Sequence, residues 1–174
     1  MKASKFYFVL FILLAGSATE NSSAEALMKA VDKRETISIL KAAIDYLKRP
    51  GRKIASVGFS AGCVDAMNAN LLAPDLFGGT VLVYGGGYDE ITKDKLDKLA
   101  SPVLAITGAL DKWPMDAAMK FMAAQKDKPF SLYIQTGADH GYDQPLFNGG
   151  KNYDYEAGRI TWLLINDFLK HNLD

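Results

Sequence analysis

The sequence predicts an α/β protein in which helices cover both faces of a mostly parallel sheet. The first observation is that short apolar runs alternate along the chain with longer segments of helical periodicity. The second is that a serine, an aspartate and a histidine each follow directly after an apolar run, where open parallel sheets place their functional groups. The length of 174 residues suits one domain, which we assign to residues 24–174.

The elements are predicted in chain order from the spacing of their apolar residues. A helix over 24–49 has apolar residues three and four positions apart and ends at Pro50 and Gly51. A strand over 53–57 leads to a glycine-flanked serine, and the helix behind that serine ends before Pro74. The remaining strands are predicted at 80–84, 102–107 and 130–135, and the remaining helices at 92–99, at 115–125 and from residue 155 onward.

The N-terminus is typical of an export signal. Lys2 and Lys5 precede an apolar run over residues 6–15, and small residues follow as far as Ala18. We expect residues 1–18 to be removed and the mature protein to be periplasmic or secreted, without stable membrane insertion after processing. Two alternatives stay open, namely an uncleaved membrane anchor and a buried strand of the domain.

Composition excludes several classes of function. Basic and acidic residues balance at 20 each, so the sequence does not indicate a nucleic-acid partner. One cysteine cannot form an internal disulfide, and one cysteine with two separated histidines does not match a zinc site. The glycines at 85–87 lack the lysine and hydroxyl residue of a phosphate-binding loop. We therefore expect neither a metal nor a cofactor.

A serine lies at the centre of the pattern Gly58-Phe59-Ser60-Ala61-Gly62, between the strand and the helix. This is the context of a nucleophile elbow, a turn so tight that only small residues fit two positions either side of the serine. The backbone N–H of Ala61 and the helix N-terminus behind it would then face a developing oxyanion. The alternative is an ordinary Gly/Ser turn.

Two further residues complete a possible triad. His140 lies in a glycine-flanked loop after the strand at 130–135, and Asp111 lies just past the strand at 102–107. The order serine, acid, histidine is that of hydrolases of this architecture, with His140 as the base for Ser60 and Asp111 as its orienting carboxylate. The alternatives are a loop histidine and a helix-capping aspartate. The rival carboxylates are Asp89, Asp116, Asp139 and Asp143.

Aromatic residues near the predicted site could line a substrate pocket or pack the loops between strands. We assign Trp113 and Tyr142 to substrate binding, with Tyr88 and Phe59 as further members of the group. Cys63, in the first turn of the helix after the serine, is interpreted as a small buried residue that supports the turn.

From about residue 24 onward the chain resembles the dienelactone hydrolase family of α/β-hydrolases. The matching stretches are residues 53–63, 81–88, 101–111 and 137–142, followed by the closing helix from Tyr155. The resemblance implies a three-layer sandwich and hydrolysis of a small ester or lactone through Ser60, His140 and Asp111. The family often has cysteine at the position of Ser60. Family members that hydrolyse dienelactone carry an arginine four residues after the histidine, where this chain has Gln144.

The family fold also has further strands before the segment that corresponds to residue 24. We therefore expect the strand at 53–57 to be the edge of a reduced sheet, open to self-association. Loops of the preceding strands usually supply the second oxyanion donor. Three explanations are open: a truncated chain, a minimal hydrolase with a rearranged edge, and an inactive descendant that serves as a binding or assembly module.

Overall fold

The computed structural model describes residues 8–12, 33–125 and 127–173. Strands and helices alternate along the described chain. The strands are β1 (Phe8–Ile12), β2 (Ile54–Phe59), β3 (Phe77–Val83), β4 (Val103–Gly108) and β5 (Phe130–Gln135). The helices are α1 (Lys33–Leu47), α2 (Gly62–Leu72), α3 (Lys93–Leu96), α4 (Lys112–Ala124) and α5 (Tyr155–Leu173).

The five strands form one parallel sheet in the order β1-β2-β3-β4-β5. Every residue of β2 and β4 is buried, because helices pack on both faces of the sheet. Strands that are covered on both sides read as continuous apolar runs rather than alternating ones. This explains why four of the five strands could be located from apolar runs alone.

The core has two layers, one on each face of the sheet. On one face, Val57, Val81 and Ile106 pack with Ile165 of α5. On the other face, side chains of α2 and α4 pack against β3 and β4. The members of this second cluster include Met67, Leu82, Ala105, Ala118 and Phe121. The triad predicted from the sequence therefore lies at one rim of a sheet that is fixed from both sides.

The edge of the sheet differs from the prediction. Strand β1 pairs with β2 in parallel, from Phe8 opposite Ile54 to Ile12 opposite Gly58. The expectation that β2 would be the edge strand is therefore wrong, because its outer backbone groups bond to β1. The strand at residues 8–12 is the second of the two alternatives that the sequence left open for the apolar run. Residues 1–7 and 13–18 lie outside the described part of the chain, so export and cleavage stay predictions.

The boundaries of several elements also differ from the predictions by a few residues. Strand β3 begins at Phe77, three residues before the predicted start. Gly78 and Gly79 interrupt its apolar run, so the sequence pattern predicts a shorter strand. An ideal Cβ on Gly79 would lie 2.6 Å from the ring of Phe168, so the close crossing of α5 requires glycine there. Helix α1 is described from Lys33, and the predicted residues 24–32 fall outside the described chain. Within the described ranges, no helix has both the length and the apolar character needed to cross a bilayer.

Candidate active site

Ser60 lies directly after β2 with a φ of +52°. Non-glycine residues rarely adopt this left-handed conformation, which costs on the order of 1–3 kcal/mol and persists only where the surroundings enforce it. Here the Ser60 N–H donates to the Val83 carbonyl at 3.0 Å, and the Ser60 carbonyl accepts from the Cys63 N–H at 3.1 Å. The sheet and the first turn of α2 therefore hold the strained residue from both sides.

Small residues around the serine make this turn possible. A Cβ on Gly58 would collide with the backbone carbonyl of Gly62. A Cβ on Gly85 would collide with the Ser60 carbonyl and with the Cys63 sulfur. Sequence reasoning anticipated the first requirement but not the second, because Gly85 belongs to the neighbouring strand connection.

Cys63 is fully buried beneath the turn. Its thiol donates to the carbonyls of Gly58 at 3.3 Å and Val83 at 3.5 Å. Burial raises the pKa of this thiol far above its ordinary value, so the sulfur stays protonated. The contacts agree with a supporting residue rather than with a nucleophile.

The structure brings Ser60, His140 and Asp111 together. The Ser60 Oγ lies 2.9 Å from His140 Nε2, and His140 Nδ1 lies 2.6 Å from Asp111 Oδ2. A carboxylate can only accept, so Nδ1 carries the proton and Nε2 is left to accept from the serine hydroxyl. This is the arrangement in which an imidazole can act as a general base toward a hydroxyl.

Asp111 owes its position to the start of α4. It is the residue before that helix, yet its side chain makes no capping bond to the helix N–H groups. The carboxylate instead accepts from His140, and the Asp111 side chain is only 12% exposed. The alternative of a helix-capping aspartate therefore does not describe this geometry.

The loop that carries His140 is fixed at several points. The His140 N–H donates to Asp139 Oδ1, and the His140 carbonyl accepts from Asn152 Nδ2, both at 2.7 Å. The imidazole lies between two aromatic rings, with centroids 5.1 Å from Tyr84 and 5.7 Å from Phe147. The two hydrogen bonds hold the His140 backbone, and the two aromatic contacts hold the orientation of the imidazole.

The rival carboxylates are engaged elsewhere or exposed. Asp139 caps the His140 N–H, and Asp89 pairs with Lys120 at 3.0 Å. Asp143 accepts from the Tyr84 hydroxyl at 2.7 Å. Asp116 is exposed on α4. Of the five carboxylates, Asp111 is the one that contacts Nδ1 of the imidazole.

Ala61 stands between the strained serine and the first residue of α2. Its own φ of −57° is helical, so its N–H belongs to the group of unpaired donors at a helix N-terminus. This end of the helix carries a partial positive charge that favours an anion. The role of the Ala61 N–H as an oxyanion donor stays a prediction.

The aromatic residues divide into one exposed ring and three packed ones. Trp113 is 63% exposed, and its ring lies over Gly86. Tyr142 is fully buried and its hydroxyl bonds to Thr161 at 2.6 Å. Tyr88 and Phe59 are buried in the core as well. The assignment of Tyr142 to substrate binding is therefore wrong in this structure, because the ring fills the space beneath α5.

Sequence reasoning missed Tyr84 altogether. It follows β3 with a φ of +37°, and its hydroxyl donates to Asp143 and accepts from Gln144 Nε2 at 3.0 Å. Burial and the Asp143 carboxylate raise the pKa of the Tyr84 hydroxyl, and burial raises the pKa of the Asp143 carboxyl. The sequence places Tyr84 inside the predicted strand at 80–84, where no pattern marks it as part of the site.

Comparison with known proteins relates the whole chain to one family. A family model described as the dienelactone hydrolase family matches residues 7–173. A comparison with curated proteins gives no match.

Solved structures share the fold. A Klebsiella pneumoniae protein provisionally described as a dienelactone hydrolase is 19% identical with a TM-score of 0.70, over 84% of this chain and 65% of that one. A dienelactone hydrolase from Anabaena variabilis is 20% identical with a TM-score of 0.56, over 70% and 50%. Est1E from Butyrivibrio proteoclasticus is 17% identical with a TM-score of 0.56, over 77% and 68%. The chain thus spans less than two thirds of the length of the first two.

Proposed function

The chain belongs to the dienelactone hydrolase family, and on that premise we propose that it hydrolyses a small ester or lactone with Ser60 as the nucleophile. The observation that carries the proposal is the pair of short contacts at the strained turn, Ser60 Oγ to His140 at 2.9 Å and His140 to Asp111 at 2.6 Å. Esterases among the structural neighbours support the same class of reaction.

The proposed reaction has two halves. The Ser60 oxygen attacks the substrate carbonyl while its proton passes to His140 Nε2, and Asp111 stabilises the resulting imidazolium. The imidazolium then protonates the departing alcohol as the carbonyl bond to it breaks, which leaves an acyl group on Ser60. A water molecule repeats the sequence with His140 as its base and releases the acid.

The oxyanion formed in each half needs donors. We assign one to the Ala61 N–H at the start of α2, where the helix dipole adds to the interaction. In hydrolases of this architecture a second N–H comes from a loop at the end of a neighbouring strand. Strand β1 is the neighbour of β2 on its outer side.

A covalent probe tests the assignment. We expect a fluorophosphonate to label the protein at Ser60, and Ser60→Ala to lose both the label and the turnover of p-nitrophenyl acetate. Ser131→Ala removes an exposed serine on β5 and is the matched control that should keep both. His140→Ala should lose nearly as much turnover as Ser60→Ala, because triad members act as a unit. Labelling that persists without Ser60 would contradict the proposal.

The second candidate is a non-catalytic binding or assembly module. Such a module would resist the probe at Ser60 although it is folded. The labelling experiment therefore separates the two candidates, with circular dichroism as the check on folding.

A further inference from the structure

We propose that Tyr84 is a positioning residue for the reaction, because its ring fixes the tilt of the His140 imidazole. The inference rests on the hydrolase function proposed above and adds one residue to its machinery. The imidazole has to direct Nε2 toward the serine hydroxyl, then toward the departing alcohol and the attacking water. Its contact with Asp111 at 2.6 Å holds Nδ1 but does not by itself fix the plane of the ring. A further contact has to define that plane.

Two aromatic rings flank the imidazole, and they differ in burial. The Tyr84 ring crosses the plane of the imidazole at 65°, with centroids 5.1 Å apart, and Tyr84 is 1% exposed. The Phe147 ring lies at 5.7 Å, and Phe147 is 41% exposed. A ring in a close-packed interior has less freedom to shift than a ring at the surface. Tyr84 is therefore the firmer of the two contacts.

The Tyr84 side chain is held along its whole length. Its ring packs against Phe59 and Tyr142, with centroids 5.8 Å and 5.3 Å away. Its hydroxyl donates to Asp143 Oδ1 at 2.7 Å and accepts from Gln144 Nε2 at 3.0 Å. Hydrogen bonds to a carboxylate are stronger than bonds between neutral groups. These contacts hold the ring in one orientation against the imidazole.

The backbone of Tyr84 gives an independent indication of the same role. Its φ of +37° lies in the left-handed region, which bulky residues rarely adopt and which glycine adopts without steric cost. A tyrosine therefore stands where glycine would be unstrained. The Tyr84 N–H donates to the Ile106 carbonyl at 2.8 Å, so β4 holds the residue in this conformation. Strained residues of this kind cluster at functional sites.

The alternative is that Tyr84 is a core residue that only supports the fold. The two roles differ in the turnover of each folded molecule. Loss of a supporting residue lowers the number of folded molecules and leaves the kcat of those that fold unchanged. Loss of a positioning residue lowers that kcat and leaves KM nearly unchanged, because the imidazole acts in the transition state.

Tyr84→Phe keeps the ring and removes both hydrogen bonds of the hydroxyl. A displacement of about 1 Å at a reacting group can cost about a hundredfold in rate. For a ring that is retained but released, we expect kcat for p-nitrophenyl acetate to fall about tenfold and KM to change less than about twofold. The kcat is taken per site that fluorophosphonate labels at completion.

Tyr88→Phe is the matched control. It removes the hydroxyl of a tyrosine that is buried to the same 1% but lies in the cluster on the other face of the sheet. The Tyr88 ring packs against Phe121. We expect this variant to keep the kcat of the wild type.

Variants of Asp143 test the same bond from its other end. Asp143→Ala removes the acceptor at a partly exposed loop position, so it carries the test if Tyr84→Phe folds poorly. It should lower kcat as Tyr84→Phe does, and the double variant should be no slower than either single one, because both changes release the same ring. Asp143→Asn keeps an oxygen that can accept from the hydroxyl and should retain most of the turnover.

The outcomes are distinct. Full kcat per labelled site in Tyr84→Phe or in Asp143→Ala would overturn the inference and leave the hydrolase function standing. Additive losses in the double variant, or an Asp143→Asn as slow as Asp143→Ala, would also overturn it. Absence of both label and turnover in the wild type would remove the proposed function and this inference with it.

Discussion

Ser60 and Tyr84 are non-glycine residues with positive φ, and they end the neighbouring strands β2 and β3. Both are held by backbone bonds to the next strand, Ser60 to Val83 and Tyr84 to Ile106. Strain at such positions clusters at functional sites. In the proposed reaction Ser60 supplies the reactive oxygen, and the Tyr84 ring packs against the imidazole. Tyr84 is thus a positioning residue by its contacts.

The buried carboxyl behind Tyr84 gives a prediction for stability. Burial raises the pKa of Asp143 above its ordinary 3.8, so the folded chain binds this proton more tightly than the unfolded chain does. The free energy of unfolding should therefore fall as pH rises from 3.8 through the folded-state pKa. Asp143→Asn removes this loss, so the wild type should lose stability relative to the variant across that window.

Urea unfolding at several pH values from about 3.5 to 7.5 measures the difference. Burial also raises the pKa of Asp65, but that contribution is common to both proteins and cancels. Asp94→Asn is the control for charge removal at an exposed site. A difference between wild type and Asp143→Asn that is flat with pH would contradict the prediction.

At the scale of residues, the sequence predicts position better than role. Ser60, Asp111 and His140 could be located because each follows a strand in a recognisable order. Trp113 and Tyr142 could not be told apart, because an aromatic residue serves a core and a pocket equally well until α5 is packed over one of them. No sequence pattern marks Tyr84. Its role depends on hydrogen bonds to Asp143 and Gln144, which lie far along the chain.

Helix α2 has to be held in one place against the sheet, because the turn that contains Ser60 lies at its N-terminus. Asn70 anchors it near the other end. The Asn70 amide donates to Thr80 at 2.9 Å and to Ser101 at 2.7 Å, and all three side chains are buried. A buried polar cluster of this kind fixes a helix against a sheet in one arrangement.

Removal of this anchor should be costly. Asn70→Ala deletes two buried hydrogen bonds and leaves their hydroxyl partners short of a donor, for a loss of about 2–4 kcal/mol in the free energy of unfolding. Asn68→Ala lies on the same helix at a partly exposed position and should change stability by less than about 0.5 kcal/mol. Denaturant unfolding of both variants checks the prediction, and equal losses would contradict it.

At the scale of elements, the sequence predicts strands whose apolar residues are uninterrupted. Strand β3 was shortened in the prediction by Gly78 and Gly79, which are there because α5 crosses closely. A short apolar run after lysines is typical of an export signal and also of a buried strand, and β1 lies within such a run. Pairing with β2 identifies residues 8–12 as a strand. Local composition does not predict which strands pair.

The whole molecule depends on β1 to cover one side of β2. Deletion of residues 1–18 would expose the outer edge of β2, whose six residues are all buried. An exposed apolar edge pairs readily with another chain, so we expect the shortened protein to self-associate and to unfold at lower temperature. Deletion of residues 1–5 keeps β1 and is the control.

Size-exclusion chromatography with a thermal scan measures both effects. A monomer with unchanged Tm after loss of residues 1–18 would show that β1 contributes nothing to the sheet. The same measurement bears on export, because cleavage after Ala18 would produce this shortened chain in its natural compartment. Sequencing of the mature N-terminus identifies which form the cell contains.

The left-handed conformation of Ser60 also bears on how this chain would change under laboratory evolution. Glycine adopts that conformation without the steric cost that serine has there, so Ser60→Gly would relieve the turn and remove the proposed nucleophile in one step. A selection for thermal stability alone would favour that exchange. Engineering of this protein for heat resistance would therefore have to screen for turnover at every round, since one gain in stability and the loss of the proposed chemistry lie at the same residue.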